Sequence, residues 1–299
     1  KNIFELHRKL KNKTYKHNSY TGFYIIDPKQ RHVHKATVRD WVLHHAVFSA
    51  INPIFEEIFI PTSFACRVGY GTHKGVNVLE EMLMKVSKNH SSPTFILKCD
   101  IQKFFDSVDH AILIAMLKRR IKDKDTMWLL EGIIESYAVK QRERERERVN
   151  ERVREGIPIG NLTSQLFANV YLNEFDQFVK HKLHIKYYVR YTDDFIIVGE
   201  NKEYLENLLP PINNFLKEKL SLKIHSKKFT IRKFSQGIDF LGYVVLPYYR
   251  VLRTKTKRRI FRKVLKRKSE LELGIISRES FEQSLQSYFG VLGHCQGYK

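Results

Sequence analysis

Apolar residues recur along this chain with two different periods, and the switches between them outline its elements. Tyr187–Tyr191 and Phe195–Val198 are rich in β-branched and aromatic residues, and only Thr192-Asp193-Asp194 separates them. That composition predicts a strand hairpin with the acids at or near its tip. Phe95–Ile101 predicts a buried strand with Asp100 near its carboxyl end, and Ile238–Val245 predicts a strand pair. Residues 1–35 are basic and partly strand-like, with Phe23–Asp27 followed by a turn at Pro28-Lys29-Gln30. The spacing of Val38, Trp41, Val42 and Ala46 predicts a helix. Further helices are expected over 76–89, over 202–220 and after Phe104–His110, the last capped by Asp106 or Asp109. A Gly/Pro turn at 156–165 leads into a helix from Leu166 to Phe178 that turns Leu166, Phe167, Val170, Tyr171 and Phe178 inward.

Composition changes this picture mainly through charge. With 299 residues and 42% hydrophobic content the chain is long and apolar enough for a sizeable core. Its 53 Lys and Arg against 32 Asp and Glu leave +21, which points to a polyanion, nucleic acid first and an anionic membrane surface second. The segment from Arg250 holds 13 Lys and Arg against 4 Glu, so +9 of the +21 lies there, mostly between Arg250 and Lys268 in a segment expected to be helical. The run over 141–155 alternates Arg and Glu with nearly balanced signs, and reads as a solvated helix or loop inserted between functional elements. No apolar run is long enough to span a membrane and no signal peptide opens the sequence. Three distant cysteines, Cys66, Cys99 and Cys295, suggest reduced thiols and no zinc site.

The candidate chemistry sits in the acidic hairpin. Adjacent carboxylates in an apolar setting raise each other's pKa and resist desolvation, so a divalent cation is the simplest way to offset them. Asp100 ends a strand where a sheet presents a catalytic group, and could meet Asp193 and Asp194 in one sheet to hold two metal ions. That site serves a polymerase, a metal-dependent nuclease or a nucleotide cyclase. Other features carry less. His44 and His45 are adjacent, and on a helix adjacent side chains diverge by about 100°, so they make poor joint ligands. Gly69–Gly75 contains a lysine but lacks the spacing of a phosphate-binding P-loop.

The order of the motifs adds a family likeness. Phe95–Phe105, Gly156–Gln165, Tyr191-Thr192-Asp193-Asp194 and Phe240-Leu241-Gly242-Tyr243 together resemble the palm of a reverse transcriptase, over about Gln30 to Tyr249. Within that superfamily, Ile159-Gly160-Asn161-Leu162-Thr163-Ser164-Gln165 resembles the enzymes of diversity-generating retroelements. Group II intron and retron enzymes usually have Gln where Ile159 stands and Pro where Gln165 stands. The resemblance implies an α+β right-hand fold: fingers over 1–92, a palm of antiparallel sheet and helices over 93–248, and a basic helical thumb over 249–299. It implies an RNA-directed DNA polymerase using two magnesium ions, or manganese in their place. Template RNA, primer, cDNA and deoxynucleoside triphosphates would be its ligands, with an oligomeric basic accessory protein as partner and no membrane. A cytoplasmic setting in a bacterium, archaeon or phage follows from the same likeness. A group II intron-like or retron-like enzyme of ordinary fidelity is the alternative. An intron enzyme is expected to continue into a maturase or endonuclease segment beyond Lys299.

Site roles follow by the same likeness. Asp100, Asp193 and Asp194 match the metal-binding triad, with the Ile101 carbonyl a further candidate ligand. Phe105 matches the ring that packs under the incoming sugar and excludes a 2′-hydroxyl. Arg31 and Lys29 match fingers residues that bind the triphosphate, and Ile159 and Gln165 line the nucleotide or template. Lys228, with Lys227 as its rival, matches a lysine that protonates departing pyrophosphate, and Leu241-Gly242-Tyr243 resembles the primer grip. Isoleucine at 159 can only pack where glutamine could hydrogen-bond. The expected consequence is weaker discrimination, chiefly at template adenines.

Overall fold

The computed structural model describes residues 2–27, 29–139, 154–226 and 228–295. Pro28, Lys227 and all of the charged run except Arg154 and Glu155 therefore lie outside the described residues.

Asp100 and Asp194 belong to a four-stranded antiparallel sheet of order β4-β5-β3-β6, formed by β3 (Phe95–Asp100), β4 (Tyr188–Tyr191), β5 (Asp194–Gly199) and β6 (Thr230–Lys233). The sheet is covered on both faces. On one side lie α4 (His110–Arg120), α5 (Lys124–Glu135), α6 (Leu162–Gln177) and α7 (Lys202–Leu220), joined in one core with α2 (Val38–Glu56) and with Leu6 of α1 (Asn2–Lys11). On the other lie α3 (Thr72–Val86) and the small sheet of β7 (Ile238–Phe240), β8 (Tyr243–Val245) and β9 (Arg250–Leu252). Both cores run across position 92, so the N-terminal elements share their apolar interior with the sheet. β1 (Thr21–Ile25) and β2 (Arg31–Lys35) form a separate antiparallel hairpin. The basic pair α8 (Thr254–Glu272) and α9 (Arg278–Leu292) buries no residue fully.

Local chemistry explains where these elements begin and end. Asp109, one of the two expected caps, accepts the amide of Ile112 at 3.0 Å and opens α4. Asn201 does the same for Tyr204 at the start of α7. Helix α6 starts at Leu162, earlier than expected. It is buried almost all round, which hides its inward face from any periodicity argument. Phe178 follows it in a single π turn and stacks on Phe215, with ring centroids 4.1 Å apart.

The helix expected after Thr37 is present, but the apolar positions that announced it face outward. Val38 is 75% exposed and Trp41 51%, whereas Asp40, Leu43, His44, Val47, Ile51 and Phe55 point inward. Two polar residues are tolerated there because both are satisfied. Asp40 accepts from Tyr15, Thr37, Arg39 and the Asn18 amide. His44 sits between Thr163 Oγ1 at 2.6 Å and His17 Nε2 at 3.0 Å, and so pins α2 to α6. The strand-like reading of the first residues also missed α1, of which only Leu6 is buried.

His44 gives the fold a pH dependence. Burial, with a smaller push from the neighbouring histidines, lowers its pKa from 6.5 to about 4. Above pH 6.5 folded and unfolded chains both keep it neutral, and the fold carries no penalty. As pH falls below 6.5 the unfolded chain takes the proton first, so stability is lost progressively toward pH 4. We expect about 2 kcal/mol less stability at pH 5 than at pH 7.5 from this residue. Urea denaturation at both pH values checks it, with His44→Gln predicted to show a distinctly smaller drop; equal drops would refute the assignment.

Candidate active site

The acidic turn is shaped by what lies beneath it. β4 and β5 are joined by two residues only, Thr192 and Asp193, with Tyr191 paired to Asp194. Thr192 has φ 53°, a left-handed conformation that favours glycine and strains a β-branched residue. Its carbonyl accepts Arg190 Nη1 at 3.1 Å. Arg190 is fully buried and forks onto Asp176 of α6, with Nε–Oδ1 at 2.8 Å and Nη2–Oδ2 at 2.6 Å. Ser63 Oγ takes a further guanidinium hydrogen at 2.9 Å, and Tyr188 donates to Asp176 Oδ1 at 2.7 Å. The main chain of Arg190 also pairs with the segment 62–64, through the Thr62 carbonyl at 2.9 Å and the Phe64 amide at 3.0 Å. An unusual turn is thus held from below by a buried, fully hydrogen-bonded ion pair.

β3 delivers the third acid. The antiparallel register sets Asp100 directly opposite Asp194, and the Ile101 amide donates to the Asp193 carbonyl at 3.1 Å. The backbone around Ile101 is clamped on its other side, with His225 N to Asp100 O and Gln102 N to Lys223 O both at 2.8 Å. Three carboxylates therefore share one edge of the sheet. Burial, then the charge of Asp194 and more weakly that of Asp100, push the Asp193 carboxyl up to about 6, while Arg31 pulls it down. Asp194 is raised too, by burial first, against the opposing charge of Lys98. Lys228 holds Asp100 with Nζ–O distances of 3.0 and 3.2 Å.

This donor set suits a divalent metal. The oxygens are hard, desolvated and mutually repelling, and an ammonium already stands against one of them. Among the described residues no three His, Cys, Asp or Glu side chains enclose an ion on their own. Magnesium is ordinarily held by one or two carboxylates plus substrate phosphates rather than by an all-protein cage, so the open arrangement fits it.

The remaining expected residues lie on β2, in the 159–165 segment, just after β3 and at the β7–β8 turn. Arg31 begins β2, and its charge reaches Asp193; Lys29 is exposed in the same hairpin turn. The His34 amide of β2 donates to the Ile159 carbonyl at 2.8 Å, and Asn161 Nδ2 donates back to the His34 carbonyl at 2.9 Å. The loop carrying Ile159 is thereby stapled to the hairpin carrying Arg31. Gly160, with φ 116°, lies so close that a Cβ would stand 2.6 Å from Val33. Ile159 and Gln165 are half-buried, and so is Phe105, which packs on the larger core beside the buried Phe104. Leu241 and Gly242 form the β7–β8 turn with φ 50° and 92°. Tyr243 turns inward, and its hydroxyl donates to the Val291 carbonyl of α9 at 3.2 Å.

Arg190, Asp176 and Lys98 were not singled out from the sequence. The signal for Arg190 was present: a guanidinium between Val189 and Tyr191, inside an apolar strand, requires a buried acid. Which acid it was could not be read, because Asp176 belongs to a helix.

A profile of the family described as Reverse transcriptase (RNA-dependent DNA polymerase) matches residues 16–245. Group II intron-encoded protein LtrA of Lactococcus lactis subsp. cremoris is 24% identical over 322 aligned positions, covering 86% of this chain and 51% of that protein. Protein YkfC of Escherichia coli strain K12 is 25% identical over 242 positions, covering 69% of this chain and 60% of its own length. The chain thus spans about half to three fifths of these two relatives. Apo telomerase from Candida tropicalis, truncated from its C-terminal domain, superposes with a TM-score of 0.59 at 12% identity, over 84% of this chain and 60% of that one. At this identity the likeness concerns the fold alone, and the fold is the α+β right hand expected from the motif order.

Proposed function

Because this chain belongs to the reverse transcriptase (RNA-dependent DNA polymerase) family, we propose that it copies RNA into DNA at the edge where Asp100, Asp193 and Asp194 meet. The observation that carries this reading is the register of β3 on β5, which sets Asp100 opposite Asp194. Asp100, Asp193 and Asp194, with the Ile101 carbonyl, are the groups that would hold two divalent ions. When bound, such ions lower the barrier to attack by the primer 3′-oxygen and neutralise charge on the leaving pyrophosphate. Phosphoryl transfer asks the protein for little beyond positioning and positive charge. Arg31, stapled through β2 to the Ile159 loop, is placed to grip a triphosphate, with Lys29 beside it. The half-buried face of Phe105 would pack under the sugar. Lys228 neutralises Asp100 in the resting chain and would give a proton to pyrophosphate once substrate displaces it. In this reading 1–92 are fingers, 93–248 palm and 249–299 thumb, with the Leu241-Gly242-Tyr243 turn against the primer. Primer extension on an RNA template with deoxynucleoside triphosphates and magnesium tests it, and a chain that adds no nucleotide refutes it.

We propose further that synthesis is error-prone at template adenines, as in diversity-generating retroelements, with an oligomeric basic accessory protein that shares the template RNA. Ile159 supports this reading. Its backbone is fixed to β2, so only its side chain distinguishes it from the glutamine usual in relatives of ordinary fidelity. Ile159→Gln is expected to cut misincorporation at adenine about 10-fold, equivalent to about 1.4 kcal/mol of discrimination, with little change elsewhere. Sequencing of the extension products reads this out; an unchanged error spectrum would sink the idea. The likeness to a group II intron-encoded protein favours the second reading, an enzyme of ordinary fidelity. Wild-type products with no excess of adenine errors would select it.

A further inference from the structure

Lys98 lies two residues before Asp100 on β3, so the pleat turns both side chains to the same face of the sheet. Ile96, Ile196 and Val198 from the sheet, with Phe240 from β7, form a core cluster on this face. A methionine would pack here as well but could donate no hydrogen bond. What the ammonium adds is direction. Nζ donates to the main-chain carbonyl of Asp239 on β7 at 2.7 Å, across 141 positions of sequence. The carboxylate of the same residue receives Arg253 Nε at 2.7 Å. Arg253 is the residue from which α8 starts, and its amide donates to the Gly242 carbonyl at 2.9 Å. Asp239 is therefore a junction. Through it the strand bearing Asp100 is tied to the β7–β8 hairpin, to its Leu241–Gly242 turn and to the root of the basic helix pair.

We propose that Lys98 is a positioning residue which, through Asp239 and Arg253, sets where the hairpin and the helix pair hold a primer's 3′ end relative to Asp100 and Asp194. The inference rests on the polymerase reading. Loss of the tie leaves the core packed and the nucleic-acid surfaces intact, but lets the hairpin drift against the sheet. Misplacement of about 1 Å costs on the order of 100-fold in rate when reacting atoms must be aligned.

The test is single-nucleotide extension by the full chain on a primer–template, with kcat, the KM for the incoming nucleotide, the primer–template Kd and Tm measured for each variant. Lys98→Met keeps the length and apolar contact of the side chain. It is expected to lower kcat about 10- to 100-fold while KM, Kd and Tm stay close to wild type. Lys98→Arg should recover most of the rate. In an Arg253→Gln background, Lys98→Met should cost far less than it does alone, because the tie is already broken. A fall in Tm matching the fall in kcat, with no recovery by Lys98→Arg, would reduce Lys98 to a packing role and overturn the proposal. Multiplicative losses in the double variant would overturn the relay. An active wild type with an unimpaired Lys98→Met overturns this inference alone, whereas a wild type that extends no primer overturns the polymerase reading and this inference with it.

Discussion

Asp193→Asn is expected to abolish templated nucleotide addition, by about 10³-fold or more, while the chain stays folded and still binds RNA. The amide keeps the size of the carboxylate but removes the charge that would hold a cation. The basic surfaces proposed to bind RNA do not depend on that charge, so the variant separates chemistry from binding. A second effect shows that the loss is not one of folding. In the folded chain Asp193 holds its proton up to about pH 6, against an ordinary carboxylate value of 3.8. Between those values the native state binds more protons than the unfolded one, so stability falls as pH rises through the window and stays lower above it. Asparagine carries no such penalty. In chelator at pH 7.5 the variant should therefore be more stable than wild type, by on the order of 1–2 kcal/mol after allowance for partial exposure. Primer extension and thermal melting on one preparation check both effects. Retained extension, or a lowered Tm, would contradict the assignment.

Removing the acid beneath the turn should do the opposite. Asp176→Ala strands the Arg190 guanidinium, fully buried, without its fork partner, and leaves the Tyr188 hydroxyl without its acceptor. Breaking a buried pair by removing one member costs about 3–5 kcal/mol, a large part of a typical domain's stability. The urea midpoint should fall accordingly. Activity should fall beyond what residual folding explains, because the strained Thr192 turn loses the guanidinium that holds its carbonyl. The double variant Asp176→Leu with Arg190→Met is expected to regain much of the stability, since no bare charge remains, but not the activity. A loss below about 1 kcal/mol for Asp176→Ala would show the pair to be dispensable.

These two sites mark how far the sequence could be read. The hairpin at Thr192–Asp193, the strand ending in Asp100 and the strand pair after Ile238 were legible because their runs are rich in β-branched, aromatic and other apolar residues, each interrupted by a single charged one. Helix α7 matched its expected bounds for the same reason, with a clear face and a capping Asn201. Helix α2 defeated the pattern by burying Asp40 and His44 and exposing Val38 and Trp41. A binary rule assigns faces correctly only where buried polar groups are few, and here several of the partners that satisfy them, Tyr15, Asn18, His17 and Thr163, come from other segments. Helix α1 was missed because it contributes a single buried residue. The three acids could be named in advance, since carboxylates in apolar strands are costly enough to demand a cause. Asp176, Lys98 and Asp239 could not, because each acts through a partner that only the folded chain brings near.

β3 has one further consequence. Its even-numbered residues Ile96, Lys98 and Asp100 belong to the functional face, while Leu97, Cys99 and Ile101 belong to the opposite core. The two sets differ by a single step along the chain. Deleting any one residue between Phe95 and Cys99 would either turn the acid into the core and set Ile101 opposite Asp194, or drag the strand out of register with β5. Substitutions at Phe95 or Leu97 can be graded by size, but a deletion there cannot be graded at all. If the proposed polymerase reading holds, parity in this strand is itself a requirement for activity, and it would appear in a deletion scan as a block of null alleles at residues remote from the acids.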